Sequence, residues 1–249
     1  MNDLVKRMGA KAASEASEIV SFVGGVAAVW FVLVTFFFAA FHIPSVSMQP
    51  SLEVGDRVLV SKFAYGYSRH SLPLGLGYFL SESWSGRIFG SIPDRGHVVV
   101  IRDPEQNINL IKRVIGLPGD RIEMRSGRLY VNGDRIPREP LGERTYRDYT
   151  GAEVSVAVYD ETLPGGFEHV IYERTDAGPF DDVGPFLVPE NQLFLMGDNR
   201  DASSDSRASL GYVHKDEVVG RAWTVLFTFA NCRNEEGLYC PAWRVWGGL

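Results

Sequence analysis

Residues 19–41 read IVSFVGGVAAVWFVLVTFFFAAF, an apolar run of 23 residues without a charge. At about 1.5 Å per residue such a helix reaches roughly 35 Å, enough to cross a hydrocarbon core about 30 Å thick with some tilt. A cleaved signal peptide has a shorter apolar region, about 7 to 15 residues, followed by a small-x-small site. Phe38, Ala39, Ala40, Phe41 and His42 offer no such site, so the run reads as a retained transmembrane helix over 19–41. Lys6, Arg7 and Lys11 precede it and no Lys or Arg follows until Arg57. The positive-inside bias therefore puts residues 1–18 in the cytoplasm and residues 42–249 outside. Residues 218–230 are also apolar, but they contain Arg221 and are too short to cross again.

Around that run the composition is that of a folded protein. The chain has 249 residues, 45% hydrophobic and 22% charged, enough to bury a core. A net charge of −6 without a basic patch argues against nucleic acid as a partner. Cys232 and Cys240 are the only cysteines, which excludes a disulfide framework. One bridge in an oxidising compartment and two buried thiols both satisfy the sequence. Five lysines stand against twenty arginines, so a lysine inside an apolar run needs a reason.

Beyond the anchor the apolar runs shorten to strand length and the fold class reads as mainly β. Strands are expected at 57–63, 97–102, 109–115, 127–136, 154–159, 169–174, 192–196 and 218–229, bounded by Gly, Pro, Asn or Asp. Asn132-Gly133 marks a two-residue type I′ hairpin. No long amphipathic helix is expected after residue 53. Residues 65–95 and 137–189, rich in Gly, Pro, Ser and charge, read as insertions or a lid on a smaller β core.

Three segments carry candidate chemistry. Residues 41–52 read FHIPSVSMQPSL, where two prolines predict a rigid, non-helical stretch bearing Ser45, Ser47 and Ser51. Ser47 lies six residues past Phe41, within roughly 20 Å of the end of the expected span. A serine hydroxyl needs a base within hydrogen-bonding reach. His42, His70, His97, His169 and His214 fall in strand or loop contexts without a catalytic pattern, and no His-Glu-x-x-His pair exists. Lys112 is the better candidate: in NLIKRVIG (109–116) strand alternation puts it between Leu110 and Val114, opposite Ile111, Arg113 and Ile115. Desolvation can lower a lysine into a neutral base, which arginine cannot become. The third segment, GDNRDASSDSR (197–207), is dense in oxygen groups but fails the EF-hand spacing.

These segments, in this order behind an anchor, resemble bacterial type I signal peptidases, and most of all the enzymes of Gram-negative alphaproteobacteria. The resemblance covers the anchor and residues 41–52, 94–101, 109–120 and 197–207, with IKRVIGLPGD (111–120) the most specific. It implies a largely antiparallel β domain on the outer face of the cytoplasmic (inner) membrane, with a variable insertion lobe. It implies Ser47 as nucleophile, Lys112 as base, and an oxyanion hole from the Ser47 amide and the Ser45 hydroxyl. Ser203 falls where the family serine hydrogen-bonds the lysine. Asp205 and Arg207 match residues that hold that region together, and Arg113 with Asp198 matches a supporting ion pair. Phe41, Ile43, Pro44, Met48, Leu52, Leu110 and Ile111 would line shallow pockets for small residues before the cut, because bulky walls reject large side chains. Val46 and Ala202 depart from the residues usual at their positions. The implied substrates are exported preproteins bearing signal peptides; no cofactor and no metal is implied.

Two other classes fit the residues less well: an anchored Ser-His-Asp hydrolase, and a non-enzymatic β domain that binds cations or partners through the acidic loop. Tyr78, Phe79, Leu80, Trp84, Ile88, Phe89, Trp243 and Trp246 suggest a second contact with the bilayer, since Trp and Tyr favour its interface.

Overall fold

The computed structural model describes residues 2–72, 76, 77, 79, 87–148, 150–228 and 245–248. Cys232, Cys240, Tyr78, Leu80, Trp84 and Trp243 lie outside the described residues. Helix α1 (Asn2–Val32) runs on through one π turn at Leu33–Phe37. Its window Ser17–Phe37, 21 residues, is long and apolar enough to cross a membrane.

The expected span to residue 41 is too long at its C-terminal end. Phe38–His42 leave the helix and form strand β1, paired with β2 (Asp56–Ser61) from Phe38↔Ser61 to His42↔Arg57. The partners decide this, because pairing with β2 satisfies backbone groups that a further helical turn would satisfy internally. Carbonyls left open at the helix end are also taken up: Lys62 Nζ donates to Thr35 O at 3.0 Å, and Tyr67 Oη to Phe36 O at 2.8 Å.

The remaining strands are β3 (Val98–Asp103), β4 (Ile108–Gly116), β5 (Arg121–Arg125), β6 (Arg128–Val131), β7 (Asp134–Arg135), β8 (Arg138–Arg147), β9 (Glu153–Leu163) and β10 (Phe167–Glu173). They continue with β11 (Val183–Leu187), β12 (Gln192–Met196), β13 (Val213–His214), β14 (Val218–Thr228) and β15 (Val245–Gly248). An eight-stranded sheet has the order β1-β2-β14-β3-β4-β12-β13, with β15 also on β14; β8–β10 form a second sheet and β11-β5-β6-β7 a third. All of these strand pairs are antiparallel. Asn132 and Gly133 take φ of 56° and 93°, the left-handed values a type I′ hairpin requires.

All eight expected strands form. Strands β1, β5, β8, β11, β13 and β15 were not expected; several are short, charged or interrupted by Gly and Pro, and neighbouring strands supply their pairing. The 137–189 region, read as an insertion or lid with strands expected at 154–159 and 169–174, is largely β8–β11. In 65–95, Tyr67 bridges Ile88.

The central sheet is covered on both faces. Val98 and Val100 pack with Ile43, Met48, Val58 and Ile111, while Val99 and Ile101 face Tyr65, Val114, Leu193 and Val218. The β8–β10 lobe packs its Tyr146, Val156, Val158 and Tyr172 around Val46, the neighbour of Ser47. A bulky residue at position 46 is thus matched by an apolar seat on the lobe.

Candidate active site

Ser47 sits in a single 3-10 turn, Val46–Met48, within the stretch expected to be non-helical. The prolines still act as expected on Gln49, which is extended before Pro50 at φ −63° and ψ 142°. The turn is pinned from three sides. Ile43 pairs its backbone with Asp56 and Gly55, Met48 O accepts from Leu52 N at 2.9 Å, and Ser47 O accepts from Asn199 N at 3.1 Å. Met48 and Leu52 are fully buried beneath it.

Lys112 comes from the middle of β4, where Val99↔Lys112 and Val98↔Arg113 set the register. Its Nζ lies 2.9 Å from Ser47 Oγ and 3.1 Å from Ile111 O. Ser45 Oγ is 3.2 Å from Ser47 Oγ. Only 4% of Lys112 and 7% of Ser47 is exposed, so water contributes little to either group. Burial lowers the Lys112 ammonium to about 8; Asp205 and Asp198 oppose the shift and Arg207 adds to it.

Both carboxylates near the lysine are occupied by arginine. Arg113 Nε and Nη2 each donate to Asp198 at 2.7 Å, and Arg207 Nε and Nη2 donate to Asp205 at 3.0 and 2.9 Å. Although burial alone would raise Asp198, Arg113 holds it below its ordinary value, and Arg207 does the same for Asp205. The pairing of Met196 with Arg113 brings the next residues, 197–198, beside the lysine strand. Gly197 is needed at that approach, because a Cβ there would collide with Ser203 Oγ and the Ser47 carbonyl.

Two expectations for this region need correction. Ser203 is buried against Gly197, but its hydroxyl has no hydrogen-bond partner among the described residues; Lys112 Nζ is directed at Ser47 Oγ and Ile111 O instead. Leu110 packs with Tyr65, Val99 and Ile101, away from the cluster of Ile43, Met48, Leu52 and Ile111 with Phe41 against it. The pleat of β4 separates neighbouring residues in this way. Pro44 is exposed, and Met48 and Leu52 are fully buried.

Asn199 was missed as a positioning residue. Besides its backbone bond to Ser47, its Nδ2 donates to Val46 O at 3.2 Å and Tyr146 Oη at 2.9 Å, tying turn, loop and lobe together. It lies inside the quoted loop, yet its partners are remote in sequence. None of the histidines is bonded to Ser47. His97 Nδ1 is bonded to Tyr65 Oη at 2.9 Å, and burial together with Arg113 lowers His169 to about 4. His169 instead lines a cavity of about 400 Å³ with Ser51, Arg113, Leu141, Arg144 and Phe167.

Residues 16–227 match the family model described as signal peptidase, peptidase S26. Relatives named signal peptidase I from Rickettsia typhi and Rickettsia conorii are each 35% identical over 195 residues, covering 76% of this chain and 71% of each relative. A crystal structure of a signal peptidase I from Enterococcus faecalis V583 is 26% identical, with 53% of this chain and 97% of that one covered at a TM-score of 0.31. At that score the likeness adds nothing to the fold.

Proposed function

The chain belongs to the signal peptidase family, peptidase S26, and is a serine-type hydrolase that removes signal peptides from preproteins, and from this premise we propose that Ser47 is its nucleophile and Lys112 its general base. The observation that carries the assignment is the 2.9 Å contact between Lys112 Nζ and Ser47 Oγ in a buried setting.

In this reading neutral Lys112 takes the Ser47 proton as Oγ attacks the scissile carbonyl carbon. The oxyanion is held by the Ser47 amide, which as an early residue of the 3-10 turn has no partner within it, and by the Ser45 hydroxyl. The Lys112 ammonium then protonates the leaving amine, giving an ester between the signal peptide and Ser47. Water attacks that ester, Lys112 accepts its proton, and the signal peptide leaves as a carboxylate while Ser47 Oγ regains hydrogen. Lowering the lysine to about 8 matters because only the neutral amine can start the cycle. Arg113, Asp198, Asp205 and Arg207 hold the loop beside the lysine. Phe41, Ile43 and Ile111, floored by Met48 and Leu52, form the shallow site that accepts small-x-small sequences; Leu110 is not among its walls.

The helix ending at Phe37 is the anchor, with the basic residues before it on the cytoplasmic side of the inner membrane and the β domain on the periplasmic side. Supporting a second contact with the bilayer, Phe79, Phe89 and Trp246 are 86%, 94% and 69% exposed, and Trp223 stacks on Phe38 at the anchor's exit. The test of the assignment is incubation of the detergent-solubilised protein with a signal-bearing precursor. Cleavage by wild type and by each His→Ala variant, with none by Ser47→Ala or Lys112→Ala, is expected. An active Lys112→Ala would remove the lysine from the mechanism.

A further inference from the structure

We propose that Glu173, Asp181 and Asp201 form a binding site for a hard divalent cation of calcium size, at the root of the 197–207 loop and independent of the serine and lysine. Glu173 ends β10, Asp181 lies in the turn that follows, and Asp201 sits in the 3-10 turn Arg200–Ala202. The three side chains bring carboxylate oxygens within 4.8 Å of one another.

A second observation points to a ligand. Glu173 and Asp181 are only 2% and 1% exposed, yet Glu173 Oε1 and Asp181 Oδ1 have no hydrogen-bond partner among the described residues. The opposite oxygens are well held. Glu173 Oε2 accepts from Arg138 Nη1 at 3.0 Å, and Asp181 Oδ2 from Gly178 N at 2.5 Å. Asp201 Oδ2 accepts from Arg174 N and Thr175 N at 2.7 and 3.1 Å. Each carboxylate is therefore oriented by donors on one oxygen, while the two buried residues keep an unmatched one. Buried polar oxygens without a donor are costly, and a cation removes that cost for both at once.

Charge and geometry favour a cation. Arg138 is shared with Asp176 at 2.6 Å, and the Arg200 guanidinium is engaged by Glu161, so three carboxylates are not balanced by arginines of their own. An irregular cage of carboxylate oxygens held by the protein suits Ca²⁺, which accepts flexible geometry, better than Mg²⁺, which demands a near-ideal octahedron and keeps its waters. Gly178 lets its backbone approach: a Cβ there would come within 2.8 Å of Asp201 Oδ1 and 3.2 Å of Asp181 Oδ2. The ion would join the end of β10 and its turn to the loop that carries Ser203 and Asp205.

The test uses the full-length protein in detergent after chelation. Equilibrium dialysis against Ca²⁺ should give about one bound ion per chain, and Ca²⁺ should raise Tm by several degrees where Mg²⁺ at equal ionic strength raises it less. Asp181→Asn and Glu173→Gln should each weaken binding about tenfold or more. Asp201→Asn, at a partly exposed position, should weaken it too and keeps the comparison available if a buried variant fails to fold. Absence of Ca²⁺ binding by wild type at millimolar ion overturns the site and leaves a proton shared by the carboxyls. Binding that persists unchanged in the folded variants overturns it as well.

Discussion

Arg113 and Asp198 face each other in a two-point ion pair, both bonds 2.7 Å long, with side chains 2% and 1% exposed. Arg113 neighbours Lys112, so the pair joins the strand of Lys112 to the loop of Ser203. Removing one partner of a buried pair strands the other charge, at a cost of about 3–5 kcal/mol. Asp198→Ala should lose about that much stability in chemical denaturation. In whatever fraction remains folded, kcat should fall more than KM rises, because the loop is displaced from the lysine. Wild-type stability in this variant would mean that the pair does not clamp the loop.

Ser47→Ala and Lys112→Ala should each reduce kcat/KM by at least about 10⁴-fold, and the double variant should be hardly worse, as the proposed dyad requires of two groups that act as a unit. Initial rates on a signal-bearing precursor decide this. Additive losses would show that the residues act independently.

The pH profile follows from the buried lysine. With Lys112 at about 8, kcat/KM should rise with pH and level off above that value, not continue toward the ordinary lysine value of 10.5. Stability carries the same signature. The folded pKa lies below the unfolded one, so burial is penalised most below pH 8 and the penalty vanishes above 10.5. Relative to Lys112→Met, wild type should gain on the order of 3 kcal/mol across that window. A stability difference that stays constant with pH would contradict a desolvated lysine.

Ser203 carries a buried hydroxyl without a partner among the described residues, so Ser203→Ala should leave Tm unchanged or slightly raised. If the hydroxyl turns to Lys112 when substrate is bound, kcat should drop and the pH profile should shift. An unaltered rate and profile would remove Ser203 from the site.

A fragment beginning at Phe38 retains edge strand β1, whereas one beginning at His42 loses it. The longer fragment should still bind vesicles through exposed aromatics such as Phe89 and Trp246, and Phe89→Ser with Trp246→Ser should weaken that binding. Flotation with liposomes measures it. A fragment that ignores vesicles would rule the surface out.

The anchor and the strands at 97–102, 109–115 and 192–196 were legible in the amino-acid order because both signals are local: a long uncharged run, and short apolar runs between turn residues. Lys112 stood out as a candidate because a lysine is conspicuous among twenty arginines, and Asn132-Gly133 specifies its own turn. Tertiary structure decided the rest. Phe38–Phe41 continue the apolar run, yet pairing with β2 draws them out of the helix. Leu110 and Ile111 are adjacent, but the pleat sends them to separate clusters. Ser47 and Lys112, 65 positions apart, meet because the β3–β4 register and the turn above Met48 bring them together. The lysine's acidity depends on that burial, a property of the surroundings that no single stretch of chain contains.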